Sequence, residues 1–205
     1  MQYASNELQN DREVVLAAVN QNGYVLEYAS NNLRNDREVV LAAVRQNGLA
    51  LEYASNELRK DREIVLAAVC QDGQVLKYAS NKLRNDREIV LAAVRQDGHA
   101  LEDASDDLQN DGEVVLVAVT QNCKMLNYIS PIFWDDANFV LKVARVHSEI
   151  DITPHIERFK VFNNPEFVRE AIYLPNIRTQ KIVKCRALSN YLPLPAVLDL
   201  LFVLI

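Results

Sequence analysis

Apolar and polar positions along this chain repeat with a step of 25 residues. The segment Asp-Arg-Glu-Val-Val-Leu-Ala-Ala-Val starts at Asp11 and at Asp36. It returns with Ile for the first Val at Asp61 and Asp86, and becomes Asp-Gly-Glu-Val-Val-Leu-Val-Ala-Val at Asp111. Each copy places a short polar stretch before a run of apolar residues, which fits either a buried strand or a helix buried nearly all round. The surroundings favour a helix. Asn35 or Asp36 supplies a cap, Glu38 suits the positive end of a helix dipole, and the Ala42–Ala43 pair has high helix propensity. Downstream, Gln46-Asn47-Gly48 reads as a stop with Gly48 in the left-handed conformation, and Gly23, Gly73 and Gly98 recur in the same place.

Each unit carries a second apolar pattern. Between Leu49 and Arg59, the residues Leu51, Ala54 and Leu58 fall at i, i+3 and i+7, the stripe of a short amphipathic helix. One unit is therefore expected to be two helices of about ten residues, each about 15 Å long. Helices that short are marginal alone, so stability must come from stacked neighbours. The pattern predicts an all-α fold: an α-solenoid of two-helix, 25-residue tandem repeats with a divergent C-terminal cap. Analogy with other helical solenoids suggests a right-handed one, with the row of second helices as the concave contact surface.

Residues 1–10 match the back half of a unit, since Tyr3-Ala4-Ser5-Asn6 corresponds to Tyr28-Ala29-Ser30-Asn31. Five tandem repeats fill 11–135, degenerate repeats 136–175, and an apolar cap 176–205. Units 11–35 and 36–60 agree at 20 of 25 positions, so recent duplication explains sameness and the differences between units carry more information. From Pro131 onward prolines and the aromatics Phe133, Trp134, Phe139, Phe159, Phe162 and Phe167 concentrate, as suits a terminal unit sealing an apolar face. Residues 192–205 are almost wholly apolar, yet too short and proline-broken to span a bilayer. They read as a capping helix or the cut end of a longer chain rather than a membrane anchor.

The unit's core, Leu-x-Tyr-Ala-Ser-x-x-Leu-Arg-x-Asp-Arg-Glu-Val-Val-Leu-Ala-Ala-Val-x-Gln-x-Gly, closely resembles the repeat family catalogued as domain of unknown function 4116. Residues 1–130 carry the resemblance strongly, 131–175 weakly, and 176–205 not at all. It implies a helical repeat with no assigned activity, and it brings no catalytic or binding residues with it.

Composition and charge act mainly by exclusion. With 49% apolar and 24% charged residues the chain is not disordered, and its net charge of −6 argues against a basic nucleic-acid binder or an anionic membrane surface. Three cysteines without zinc-ligand spacing indicate a reducing compartment such as the cytoplasm, with export into a host cell left open. The N-terminus has neither the basic nor the apolar region of a signal peptide. No phosphate loop, Gly-x-Ser-x-Gly elbow, His-Glu-x-x-His or Cys-x-x-Cys occurs. No catalytic residue, metal, cofactor or small-molecule substrate is expected. His147, Glu149, Asp151 and His155 read as a polar turn around Pro154, and Cys70, Cys123 and Cys185 as passive thiols.

The candidate chemistry lies in rows. Tyr28, Tyr53 and Tyr78 belong to one row with Tyr3 and Tyr128, interrupted by Asp103; Asn31, Asn56 and Asn81 follow three residues on, expected on the same helix face. The row reads either as an amphipathic contact surface or as rings packed between units with wet hydroxyls. Tyr24 and His99 occupy the fourteenth position of the unit, which with the tenth varies most, through drift or through side-chain readout of a partner. Asp97, Glu102, Asp103, Asp106 and Asp107 form an acidic cluster that suits a basic partner or a solvated face, the last three expected on one helix face. The expected function is a non-catalytic protein-interaction scaffold with a protein partner. An RNA-reading repeat, or a repeat fragment of a larger protein whose activity lies elsewhere, are the alternatives.

Overall fold

A computed structural model shows the repeat directly and describes residues 1–146. The apolar runs are helices, one per unit: α1 (Arg12–Gln21), α2 (Arg37–Gln46), α3 (Arg62–Gln71), α4 (Arg87–Gln96), α5 (Gly112–Gln121) and α6 (Ala137–Val146). Among the described residues there is no strand, so the protein is an all-α tandem repeat with a 25-residue step. The chain divides into two compact units, Met1–Asn122 and the part from Cys123 onward. The expected terminal cap over 176–205, the histidine turn around Pro154 and Cys185 lie outside the described residues.

Each helix from α1 to α5 begins at an aspartate whose Oδ1 accepts the next two free backbone N–H groups; Asp36, for example, accepts from Glu38 and Val39 at 3.0 and 3.1 Å. In α2 the residues Val39, Val40, Ala43 and Val44 are fully buried, two adjacent stripes of i, i+4 spacing. In α1 the equivalents of Val39 and Ala43, namely Val14 and Ala18, are only half-buried. That difference assigns the Val39–Ala43 stripe to the preceding unit's side, and successive helices do pack on one another there.

The second half of the unit departs from expectation. Instead of one ten-residue α-helix, a 3₁₀ helix runs from Gly48 to Tyr53, Ala54 turns extended (φ −65°, ψ 151°), and a single further turn, Leu58–Lys60, leads into the next unit. Leu51 and Ala54 are buried and Leu58 is half-buried, so the apolar residues point inward as the stripe required although the backbone is broken between them. The physical reason is the serine after the alanine. Its N–H leaves the local helix and bonds the preceding unit: Ser30 to Gln9, Ser55 to Arg34, Ser80 to Arg59 and Ser105 to Arg84 carbonyls, at 2.9 to 3.1 Å. Arg34 then clasps the end of its own 3₁₀ helix by donating Nε to Ala29 O at 3.0 Å and Nη2 to Glu27 O; Arg59 and Gln109 do the same, while Arg84 reaches the Asp103 carbonyl of the next unit.

The glycines act otherwise than as left-handed stops. No residue among those described has positive φ. Each of α1 to α5 ends instead at an extended Asn or Asp; Asn47 has φ −151° and ψ 115°, and its side chain caps the 3₁₀ helix that follows. Glycine is needed for approach. A Cβ on Gly23, Gly48, Gly73 or Gly98 would stand 2.3, 2.6, 2.3 or 2.7 Å from the carbonyl oxygen of Ala43, Ala68, Ala93 or Ala118 in the next unit.

A charge ladder joins the same neighbours. Arg12 donates Nε to Asp36 at 2.9 Å and Nη2 to Glu38; Arg37, Arg62 and Arg87 repeat this on Asp61/Glu63, Asp86/Glu88 and Asp111/Glu113. At the fifth unit the joint residues change together: Gly112 stands for the arginine, Cys123 for the glycine and Asn138 for the glutamate. In the second compact unit Phe133, Trp134 and Phe139 are buried, with the two phenylalanine rings 4.9 Å apart.

One joint is defective. Ser30, Ser55 and Ser105 donate Oγ–H to Asn10, Asn35 and Asn85 at 2.7, 2.5 and 2.5 Å. Ser80 meets Lys60 in that register, Lys60 turns to Glu57 at 2.9 Å, and Ser80 Oγ is buried without a hydrogen bond. Replacing Lys60→Asn restores the partner and is expected to raise stability by about 1 kcal/mol in urea unfolding; an unchanged midpoint would show that the orphaned hydroxyl costs nothing. Gly73→Ala and Gly73→Asn are both expected to cost about 2 kcal/mol or more, because any Cβ meets a backbone carbonyl. Tolerance of Asn with loss on Ala would instead indicate a conformational role for that glycine.

Candidate functional site

No group of three or more His, Cys, Asp or Glu residues able to hold a metal occurs among the described residues, and no helix there is long and apolar enough to cross a membrane. Cys70 and Cys123 are exposed free thiols. What the array presents is a set of surface rows.

Tyr28, Tyr53 and Tyr78 close successive 3₁₀ helices and are all half-buried. The Tyr28 and Tyr78 phenols also hydrogen-bond to Glu27 and Glu52. Burial pushes the Tyr53 phenol up, helped by the carboxylates of Glu27 in the preceding unit and Glu52 in its own. Burial and the neighbouring Glu52 do the same to Tyr78, and burial with Glu27 to Tyr28. Tyr24 joins them: its ring lies 6.0 Å from that of Tyr53 at 58°, and it is 37% exposed. In the third unit Lys77 replaces the glutamate, and its Nζ sits 5.0 Å from the Tyr78 ring centroid. Glu27, Glu52 and Lys77 were not singled out from the sequence. The signal was present, as a Glu-to-Lys change beside an unchanging tyrosine.

Asn31, Asn56 and Asn81 are exposed but do not share a helix face with the tyrosines. The extended Ala–Ser step intervenes, with ψ of 152° at Ala29 and 156° at Ala79, so the i, i+3 relation of a helix fails. For the same reason Asp103 does not share a face with Asp106 and Asp107. Asp103 ends one 3₁₀ helix, Ala104 is extended, and the other two start a separate turn.

The acidic cluster is thus divided by role. Asp97 caps the 3₁₀ helix through His99 N–H and accepts from Gln74 Nε2 at 2.7 Å. Glu102 Oε1 meets His99 Nδ1 at 3.3 Å, and Asn122 Nδ2 lies 3.0 Å from His99 Nε2. Burial raises Asp103 despite the nearby Arg84 and Lys77. Asp106 and Asp107 alone of the five are exposed residues outside such contacts. At the tenth position Asn20, Arg45, Cys70, Arg95 and Thr120 are all exposed, and at the fourteenth Tyr24 and Gln74 are exposed while Leu49 and His99 are half-buried.

Matches to the family model described as Domain of unknown function (DUF4116) tile residues 1–34, 13–59, 36–84, 61–109 and 86–134. The chain belongs to this family of helical repeats. No curated protein and no solved structure matches it.

The arginine ladder sets a pH dependence. Burial opposes ionisation of Asp36, but Arg12 and the N–H groups of Val39 and Glu38 outweigh it and hold the carboxyl below its usual range; Asp61, Asp86 and Asp111 behave alike. A folded pKa below the unfolded value of about 3.9 contributes stability that is complete above that value and lost as pH falls through the folded one. The melting temperature is therefore expected to fall as pH drops below about 4, and Arg37→Gln to flatten that loss. Parallel curves for wild type and variant would remove the ladder from the account.

Proposed function

We propose that the protein is a non-catalytic scaffold that binds another protein across the exposed rows of its repeat array. One observation carries this reading: the joint residues are constant while the exposed turn residues vary. Glycine, serine, arginine and the capping aspartate recur in each of the first four units, whereas the exposed tenth position reads Asn20, Arg45, Cys70, Arg95 and Thr120. A framework held constant beneath changing exposed side chains is how repeat proteins present a broad surface to a partner. The half-buried tyrosines suit such a surface, since they offer large area with few rotatable bonds.

Nucleic acid is the less suited partner. Arg12, Arg37, Arg62 and Arg87 are each held by two carboxylates, so the most regular basic row of the array is neutralised rather than offered to phosphates.

Affinity capture with the intact protein, at two salt concentrations and with or without nuclease, tests the reading. Protein captured under all four conditions, and lost from an Arg45→Glu, Arg95→Glu variant of unchanged melting temperature, is the expected result. Capture abolished by nuclease would move the function to nucleic acid, and no capture under any condition would count against a scaffold.

A further inference from the structure

We propose that Tyr24 and Tyr53, with the carboxylates of Glu27 and Glu52, form a docking site for a lysine side chain of the partner polypeptide. The inference deepens the scaffold reading and rests on it.

The seventeenth position of the unit faces the tyrosine row and reads Glu27, Glu52, Lys77 and Glu102. The third unit shows what an ammonium does there. Lys77 settles over the Tyr78 ring at 5.0 Å, the distance at which a cation is drawn to the negative face of an aromatic ring. In the first two units the same position carries a carboxylate, so neither unit brings an ammonium to the rings from that position.

The carboxylates also hold no cation among the described residues. Glu38, Glu63, Glu88 and Glu113 each hold an arginine and Glu102 meets His99, whereas Glu27 and Glu52 enter no ion pair with a described residue and meet the phenols of Tyr28 and Tyr78. The nearest arginines are committed elsewhere: Arg34 donates to the Glu27 and Ala29 carbonyls and Arg59 to those of Glu52 and Ala54. Two half-buried carboxylates without a cation therefore lie beside two rings set at 58°, one of them exposed. A lysine gains there both the ring faces and an opposite charge in a partly desolvated setting, whereas a neutral side chain of equal length gains neither.

The test uses the intact protein labelled with carbon-13 in its tyrosine rings and titrated with a capped Gly-Lys-Gly-Lys-Gly peptide at physiological salt. A Gly-Gln-Gly-Gln-Gly peptide is the control. Saturable shifts are expected at Tyr24 and Tyr53, with the control silent. Glu27→Gln with Glu52→Gln is expected to weaken binding about tenfold, since both backbone carbonyls that hold the arginines are retained. Lys77→Gln uncovers the Tyr78 ring and is expected to strengthen binding and add Tyr78 to the shifted set. No shift at millimolar lysine peptide, equal response to the glutamine peptide, or undiminished affinity in the double glutamate variant each overturns the site. Protein capture retained by the double glutamate variant would overturn this site and leave the scaffold standing. Lysine-peptide binding without any protein capture would do the reverse.

Discussion

The closest constraint in this molecule is the contact between a glycine backbone and the carbonyl that ends the next unit's helix. A ten-residue helix has too few hydrogen bonds to offset its nucleation cost, so none of α1 to α5 is stable by itself. Each must lie against a neighbour closely enough to bury both of its apolar stripes. With a Cβ at Gly23 or Gly73 only 2.3 Å from the facing carbonyl, that proximity leaves room for hydrogen alone. The small Ala43, Ala68, Ala93 and Ala118 on the other side of the joint are fully buried for the same reason.

Around that approach the polar groups divide the remaining work. The serine N–H takes the preceding unit's carbonyl, the serine hydroxyl takes an asparagine, and the arginine reaches forward to an aspartate and a glutamate. The aspartate serves two joints of different kind, because Oδ1 caps its own helix while Oδ2 holds the arginine of the unit before. Exposed ion pairs of this sort contribute little individually. Their regular spacing matters more for register, since a shifted stack would bring like charges together. The joint at Lys60 and Ser80 keeps the backbone bond and loses the side-chain one that Ser30, Ser55 and Ser105 make.

Much of this was legible in the residues themselves. The 25-residue step, the aspartate caps and the helical Val-rich run follow from local chemistry, and the structure has them where the pattern predicts. The second helix was misread because apolar spacing at Leu51, Ala54 and Leu58 reports which side chains are buried, not whether the backbone between them is continuous. The break belongs to a hydrogen bond between Ser55 and Arg34, in different units, and no single-unit pattern can display it. The glycines were assigned the wrong reason for the same cause: a sterically crowded partner 20 residues away looks, from sequence, like a conformational requirement at home. The row of tyrosines was visible, whereas the separation of Asn31 from Tyr28 followed from the misread helix. Glu27 and Glu52 went unnoticed because an unpaired glutamate and a paired one are the same letter.

The identity of successive joints has a consequence for how such a protein changes length. Arg12 reaches Asp36 and Glu38, and it would find the same carboxylates in the same places if residues 36–60 were excised and Asp61 and Glu63 took their position. Removing or inserting whole units among the first four therefore keeps each arginine opposite its aspartate and glutamate, while a cut that is not a multiple of 25 residues does not. Unequal recombination between near-identical gene segments can then lengthen or shorten the array without a non-functional intermediate. Array length then varies in steps of one unit, separately from the side chains on its exposed turns.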